Sequence, residues 1–194
     1  MRWAFTLIVF LLILSMISGC GARLIILHDP LDAKAHNELG VTYLLEGQWK
    51  AAIRAFRRAH RKNPDWPIPL LNLGYLYSQL GQWDRARENY VKALKLAKGS
   101  CPDCWNNLAY ADYRQHGPRP QQLRWVEIAL RQSAEPRGDY YLTAAEIELG
   151  LKDCTRARFS LRNVVFYLDG LGWGEWTHLW QRYRQQCERK TPGD

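Results

Sequence analysis

"EGQWKAAIRAF" occupies residues 46–56 and "LGQWDRARENY" residues 80–90. Gly-Gln-Trp returns after 34 residues, each time with an alanine three places beyond the tryptophan. Residues 33–66 and 67–100, laid over one another, agree at further offsets. Leu39-Gly40 falls on Leu73-Gly74, Tyr43 on Tyr77, Ala52 on Ala86, Phe56 on Tyr90 and Ala59 on Ala93. A fixed interval of this size marks a helix-pair unit that stacks on copies of itself, because one unit cannot bury its apolar face alone. Gly40 and Ala52 are small, so paired helices can approach to about 8–10 Å or closer. Gly47 suits the tight turn between them. Pro64 cannot continue a helix and closes the first copy.

This pattern resembles the tetratricopeptide repeat family. The resemblance implies an all-α solenoid of about four helix pairs with a capping helix, its first helices lining a concave face. Residues 33–100 hold two well-formed repeats. Residues 101–168 hold degenerate copies: Leu108-Ala109 takes the Leu39-Gly40 register, Asp112 the place of Tyr43 and Tyr77, and Ala157 is a loose echo. The fourth pair is expected at about 137–149 and 153–168. Residues 169–194 supply the turn "DGLGWG" and a final helix at about 175–189, suited to the atypical cap that a solenoid end requires.

The N-terminus reads differently. Residues 1–19 have a basic start at Arg2, an apolar run from Trp3 to Ile17 and small residues before Cys20, the pattern of a secretory signal. The run is short of the ~20 apolar residues that span a bilayer. Ile17-Ser18-Gly19-Cys20 resembles the bacterial lipobox, which implies a diacylated Cys20 at a cleaved N-terminus and a membrane anchor built of several acyl chains. Asp after that cysteine marks inner-membrane retention in Gram-negative lipoproteins. Gly21 stands there instead, so the resemblance implies an outer-membrane anchor facing the periplasm. Residues 20–32 then form a tether, with Leu24-Ile25-Ile26-Leu27 expected to pack on the first repeat or near the lipid.

With 194 residues, 47% hydrophobic and 24% charged, the chain has room for one globular core. A net charge of +8 favours acidic partners or anionic surfaces. Lys50, Arg54, Arg57 and Arg61 recur on one face of a second helix, a stripe expected on the convex side and solvated. Export argues against nucleic acid as a partner. No Ser-His-Asp set, phosphate loop or cofactor motif is found, and His116 stands too far along its helix from Cys104 to share a zinc ion.

Cys101, Cys104, Cys154 and Cys187 make an even set outside the cytosol, which suggests two disulfides with three connectivities. Hairpin arithmetic selects one. The turn between the last two helices is centred near residue 171, so Cys154 and Cys187 sit at the same level of an antiparallel pair. Cys101 and Cys104 remain as a local pair. They also form a C-x-x-C before a helix, and the competing reading is a thiol–disulfide oxidoreductase.

Asn72 and Asn107 share the sixth position of the second and third repeats. Family members that hold extended peptides carry an asparagine ladder there, which implies a peptide-binding groove. A carboxamide offers a donor and an acceptor together, matching a peptide unit. Tyr75 and Tyr110 follow three residues later, so a groove of amide and aromatic is expected. Glu38 replaces the first rung, with Asn37 one place earlier. The expected function is a lipid-anchored, non-enzymatic scaffold of the bacterial envelope that assists assembly of a pilus, secretion or outer-membrane machine. Its oligomeric state is not legible.

Overall fold

Each repeat begins with a helix that its sequence starts and stops by identifiable means. α1 (Ala33–Leu45) is capped by Asp32, whose Oδ1 accepts from the Ala35 N–H at 2.7 Å. α2 (Trp49–Lys62) ends before Pro64. α3 (Ile68–Gln79) and α4 (Trp83–Leu96) repeat the unit. The two following pairs are α5 (Pro102–His116) with α6 (Pro120–Gln132), and α7 (Gly138–Gly150) with α8 (Cys154–Tyr167). α9 (Trp173–Tyr183) runs into a π-helical turn, Arg184–Glu188. The computed structural model describes residues 29–135, 137–167 and 173–188. The signal segment, Cys20 and the Leu24–Leu27 run lie outside them. From Leu31 onward the chain forms one unit.

Every helix packs on the next, and α1, α3, α5, α7 and α9 also contact one another in succession. First helices therefore line one inner face and second helices lie outside, the arrangement of an all-α solenoid of tetratricopeptide type. The core runs along it as three consecutive patches, from α2 to α5, from α5 to α7 and from α7 to α9.

The packing unit is a small residue on the first helix against a large one on the second. A Cβ on Gly40 would come within 2.5 Å of the Phe56 ring, and one on Gly74 within 2.5 Å of Tyr90. In the third pair the residues at these registers are Ala109 and Val126, and in the fourth Ala145 and Leu161, all buried. The extra Cβ of alanine is accommodated because its partner has lost its ring. The degenerate repeats thus keep the combined volume of the pair.

The turns repeat too. Gly47 takes φ +70° and Gly81 φ +68°. The Gly47 N–H donates to the Leu44 carbonyl at 3.1 Å and the Gln48 N–H to the Tyr43 carbonyl at 2.8 Å, closing a Schellman motif. Gly81 and Gln82 do the same on Ser78 and Tyr77. In the fourth pair Lys152 holds this position at φ +63°, with Lys152 and Asp153 donating to Leu149 and Glu148.

Asp112, in the tyrosine register, is buried but well partnered. Its Oδ2 accepts from Gln122 Nε2 at 2.8 Å. Its Oδ1 lies 3.1 Å from His116 Nδ1 and 3.0 Å from Arg87 Nε, the last close enough for an ion pair but off-line for a hydrogen bond. A carboxylate is tolerated there because three side chains surround it.

Candidate peptide groove

The inner face opens into a groove of about 1120 Å³ bounded by α3, α5, α7 and α9. Asn107, Tyr75 and Tyr110 line it together. Tyr75 is 44% exposed. Tyr110 is more confined: its hydroxyl accepts from Arg114 Nη1 at 2.6 Å, and its ring meets Trp83 edge-on at 6.2 Å. The Arg114 guanidinium stacks over Trp83 at 4.9 Å and Tyr110 at 5.5 Å, fixing both rings. Burial, then the nearby Glu146 carboxylate, pushes the Tyr110 phenol above its usual range.

Asn72 is not part of this groove. Its Nδ2 donates to Asn37 Oδ1 at 2.9 Å, linking α1 to α3. Asn37 is buried, while Glu38 is exposed and 3.8 Å from Lys34. The first-repeat rung therefore sits at residue 37, one place before the register used in the sequence alignment. Because Asn72 and Asn37 bond each other, that end of the inner face already uses one donor and one acceptor of its amides.

Several groove residues escaped sequence reasoning. Thr143 occupies the register of Asn72 and Asn107, and Glu146 that of Tyr75 and Tyr110, so the aromatic column ends in a carboxylate. The repeat alignment carried through the fourth pair would have found both. Glu175 and His178 come from α9, beyond any repeat, and no periodicity marks them. Asn106 also lines the groove, is only 5% exposed, and its Oδ1 has no hydrogen-bond partner among the described residues.

The charges of the groove oppose those of the chain. Glu135, Asp139, Glu146 and Glu175 line it against Arg137. Asp139 is taken by Arg137 in a bidentate pair at 3.0 and 2.9 Å. Burial holds the Glu146 carboxyl above the usual carboxylate range; Arg114 and Arg182 pull it down, Glu175 pushes it up, and His178 weakly lowers it. The basic stripe lies elsewhere: Lys50, Arg54, Arg57 and Arg61 are exposed on α2, with Arg57 Nη2 donating to the Tyr77 hydroxyl at 2.9 Å.

The cysteines join as two pairs. Cys101 Sγ and Cys104 Sγ are 2.00 Å apart, and Cys154 Sγ and Cys187 Sγ 2.02 Å. Cys101 caps α5, its sulfur accepting from the Cys104 N–H at 3.3 Å, and Cys104 is 0% exposed within the core. Asp103 between them accepts from the buried Tyr140 hydroxyl at 2.6 Å and lies 3.6 Å from Arg137. The C-x-x-C thus staples the start of α5 and, through Asp103, ties it to α7. Among the described residues no three His, Cys, Asp or Glu side chains converge as metal ligands, and no helix is long and apolar enough to cross a membrane.

Comparison with known proteins agrees with this architecture. A family model described as tetratricopeptide repeat matches residues 33–66 and 67–100. The tetratricopeptide repeat-containing protein trd-1 of Caenorhabditis elegans is 28% identical over 109 residues, 56% of this chain and 14% of that protein. The matched part is thus a small fraction of that relative's length. A thermophilic tetratricopeptide repeat protein of Thermus thermophilus superposes with a TM-score of 0.62 at 22% identity, covering 81% of this chain and 93% of its own. PilW, described as a widely conserved type IV pilus biogenesis factor, gives 0.67 at 16%, with coverages of 80% and 78%. The pilF protein of Pseudomonas aeruginosa gives 0.64 at 19%, with 86% and 79%. At these identities the shared property is the fold.

Proposed function

Because this chain is a tetratricopeptide repeat protein, with family repeats at residues 33–66 and 67–100, we propose that it is a lipid-anchored scaffold of a bacterial envelope that holds an extended segment of a partner protein. Protein–protein interaction is the work of this class of fold, and concave solenoid faces are where it occurs. The observation that carries the reading is the inner groove, in which Asn107, Tyr75 and Tyr110 come from successive first helices. An amide there reads a peptide backbone, and the rings supply apolar contact with little loss of conformational freedom.

The lipobox-like Ile17–Cys20 and the short apolar run before it support the anchor. The likeness in fold to PilW and pilF is consistent with service beside a pilus or another envelope machine. Function resides in sites carried by a fold, so the test addresses the groove. A photo-crosslinking residue at position 75, introduced in intact cells, is expected to capture one defined envelope protein, with capture lost in Asn107→Ala. A photo-crosslinker at the convex Arg54 serves as the control. Equal capture of the same protein from both faces would overturn the groove. Intact mass of the membrane-extracted protein is expected to show acyl chains on a chain beginning at Cys20, and an unacylated full-length mass would overturn the anchor.

A further inference from the structure

We propose that the segment held in the groove carries a basic side chain, arginine above lysine, whose charged head sits between Glu146 and Glu175 beside Tyr110. This rests on the groove reading above and adds the chemistry of its occupant.

Glu146 comes from α7, Glu175 from α9 and Tyr110 from α5, and all three line the groove. Glu175 acts on the Glu146 carboxyl, after the larger effects of Arg114 and Arg182, and both carboxylates act on the Tyr110 phenol, which puts all of them within electrostatic reach across the same space. Neither carboxylate has an ion-pair partner within 4.0 Å among the described residues, whereas Asp139, Asp103 and Asp112 all have one. Glu146 is half-buried and desolvated. Arg114, Arg182 and His178 act on Glu146 without closing to ion-pair distance, so both carboxylates keep room for a cation at contact, and pairing at the desolvated Glu146 is stronger than on an open surface.

Asn106 is an independent observation at the same groove. A buried carboxamide oxygen without a partner costs free energy, and its Nδ2 reaches only Asn107 Oδ1 at 3.4 Å, a weak bond. The Asn106 Oδ1 is closed off from the groove surface, so the amide a bound backbone can meet is Asn107, which lines the groove and whose Nδ2 bonds no other described residue. Tyr75, exposed, offers its ring face along the groove, while Tyr110 already carries Arg114 and Tyr167 stacks on Tyr141. A planar guanidinium stacks on such a face while its edge bonds a carboxylate, and an ammonium does so less well. The groove is acidic in a chain whose net charge is +8, so this preference is built locally and is not a property of the whole surface.

The test selects ligands from a displayed library of random nonapeptides using the full mature chain. Selected peptides are expected to carry Arg or Lys at one fixed position. Against Glu146→Gln/Glu175→Gln that positional preference should vanish, and a selected peptide should bind at least about tenfold more weakly. Arg54→Gln on the convex face should leave its affinity unchanged. Helical circular dichroism checks folding, and the single exposed-site variant Glu175→Gln gives the same readout with least risk to the core. Peptides selected without a charge preference, but lost with Asn107→Ala, would overturn the basic side chain while sparing the groove. Selection of nothing, or binding indifferent to both Asn107→Ala and the glutamate variants, would overturn both.

Discussion

At the scale of single residues, the fold depends on complementary volumes across each helix pair. Gly74 has no room for a methyl group, since its Cβ would lie 2.5 Å from the Tyr90 ring. Gly74→Ala should therefore destabilise the chain by about 1–3 kcal/mol, the usual cost of overpacking. Adding Tyr90→Leu should return part of that loss, because Ala145 with Leu161 already uses this combination. A double-mutant cycle by urea unfolding measures the coupling, and simple additivity would contradict the account. Glu146 carries a second prediction. Its folded-state carboxyl is raised above 4.5 mainly by burial, so the folded chain holds this proton more tightly than the unfolded chain. Its contribution to stability is then most favourable below pH 4.5 and is lost as pH rises through the folded value. Glu146→Gln should raise Tm at neutral pH, and the gain should shrink as pH falls toward 4.5. The glycine and aromatic positions were legible in the sequence as fixed offsets, and the structure shows that they meet. Glu146 was not, because a carboxylate in a tyrosine register looks like decay of the repeat until its neighbours are seen.

At the scale of elements, the turns and the end of the solenoid are where the copies differ. Lys152 adopts the left-handed backbone that Gly47 and Gly81 adopt elsewhere. A side chain there costs about 1 kcal/mol, partly offset by the entropy a glycine would lose. Lys152→Gly should raise Tm slightly, by an amount corresponding to at most about 1 kcal/mol; a lower Tm would show that the lysine side chain compensates. No repeat follows α9 among the described residues. It is held by the Trp176 Nε1 bond to the Leu161 carbonyl at 3.0 Å, by Gln186 Nε2 on the Leu149 carbonyl at 2.9 Å, and by the Cys154–Cys187 link across 33 positions. Cys187→Ser should lower stability by about 3–4 kcal/mol in the chain-entropy model and speed amide exchange in α8 and α9. Sequence symmetry about the turn brought these two cysteines level, and the structure has their Cα atoms 5.6 Å apart. The π-helical turn around Cys187 has no such signature, since nothing in "RQQCE" distinguishes it from ordinary helix.

At the scale of the whole molecule, three core patches in series make stability local. Energy in a stacked array is close to a sum over units and their interfaces. Gly74→Ala should therefore accelerate amide exchange in α1 to α4 and leave α7 to α9 nearly unchanged; uniform acceleration would mean that the array unfolds as one. The helix pairs and their order were readable from the repeat interval, because volume and turn chemistry recur with it. The centre of the groove was not. Asn72 is engaged by Asn37, a partner one place out of register, and Glu175 belongs to a helix outside the repeat.

The Cys154–Cys187 link also sets how the chain responds to load. A force applied between the first and last described helices acts along the stack, so the unlinked helix pairs are the ones that can open and lengthen. The segment inside the link spans 33 positions, roughly 110 Å of extended chain that cannot be drawn out while the bond is intact. Tyr167 and the whole of α9, which form one side of the groove, lie inside that segment. Under tension the chain would lengthen first in the helix pairs outside the link, its contour length stepping up pair by pair, and reduction of a single covalent bond would release the final step.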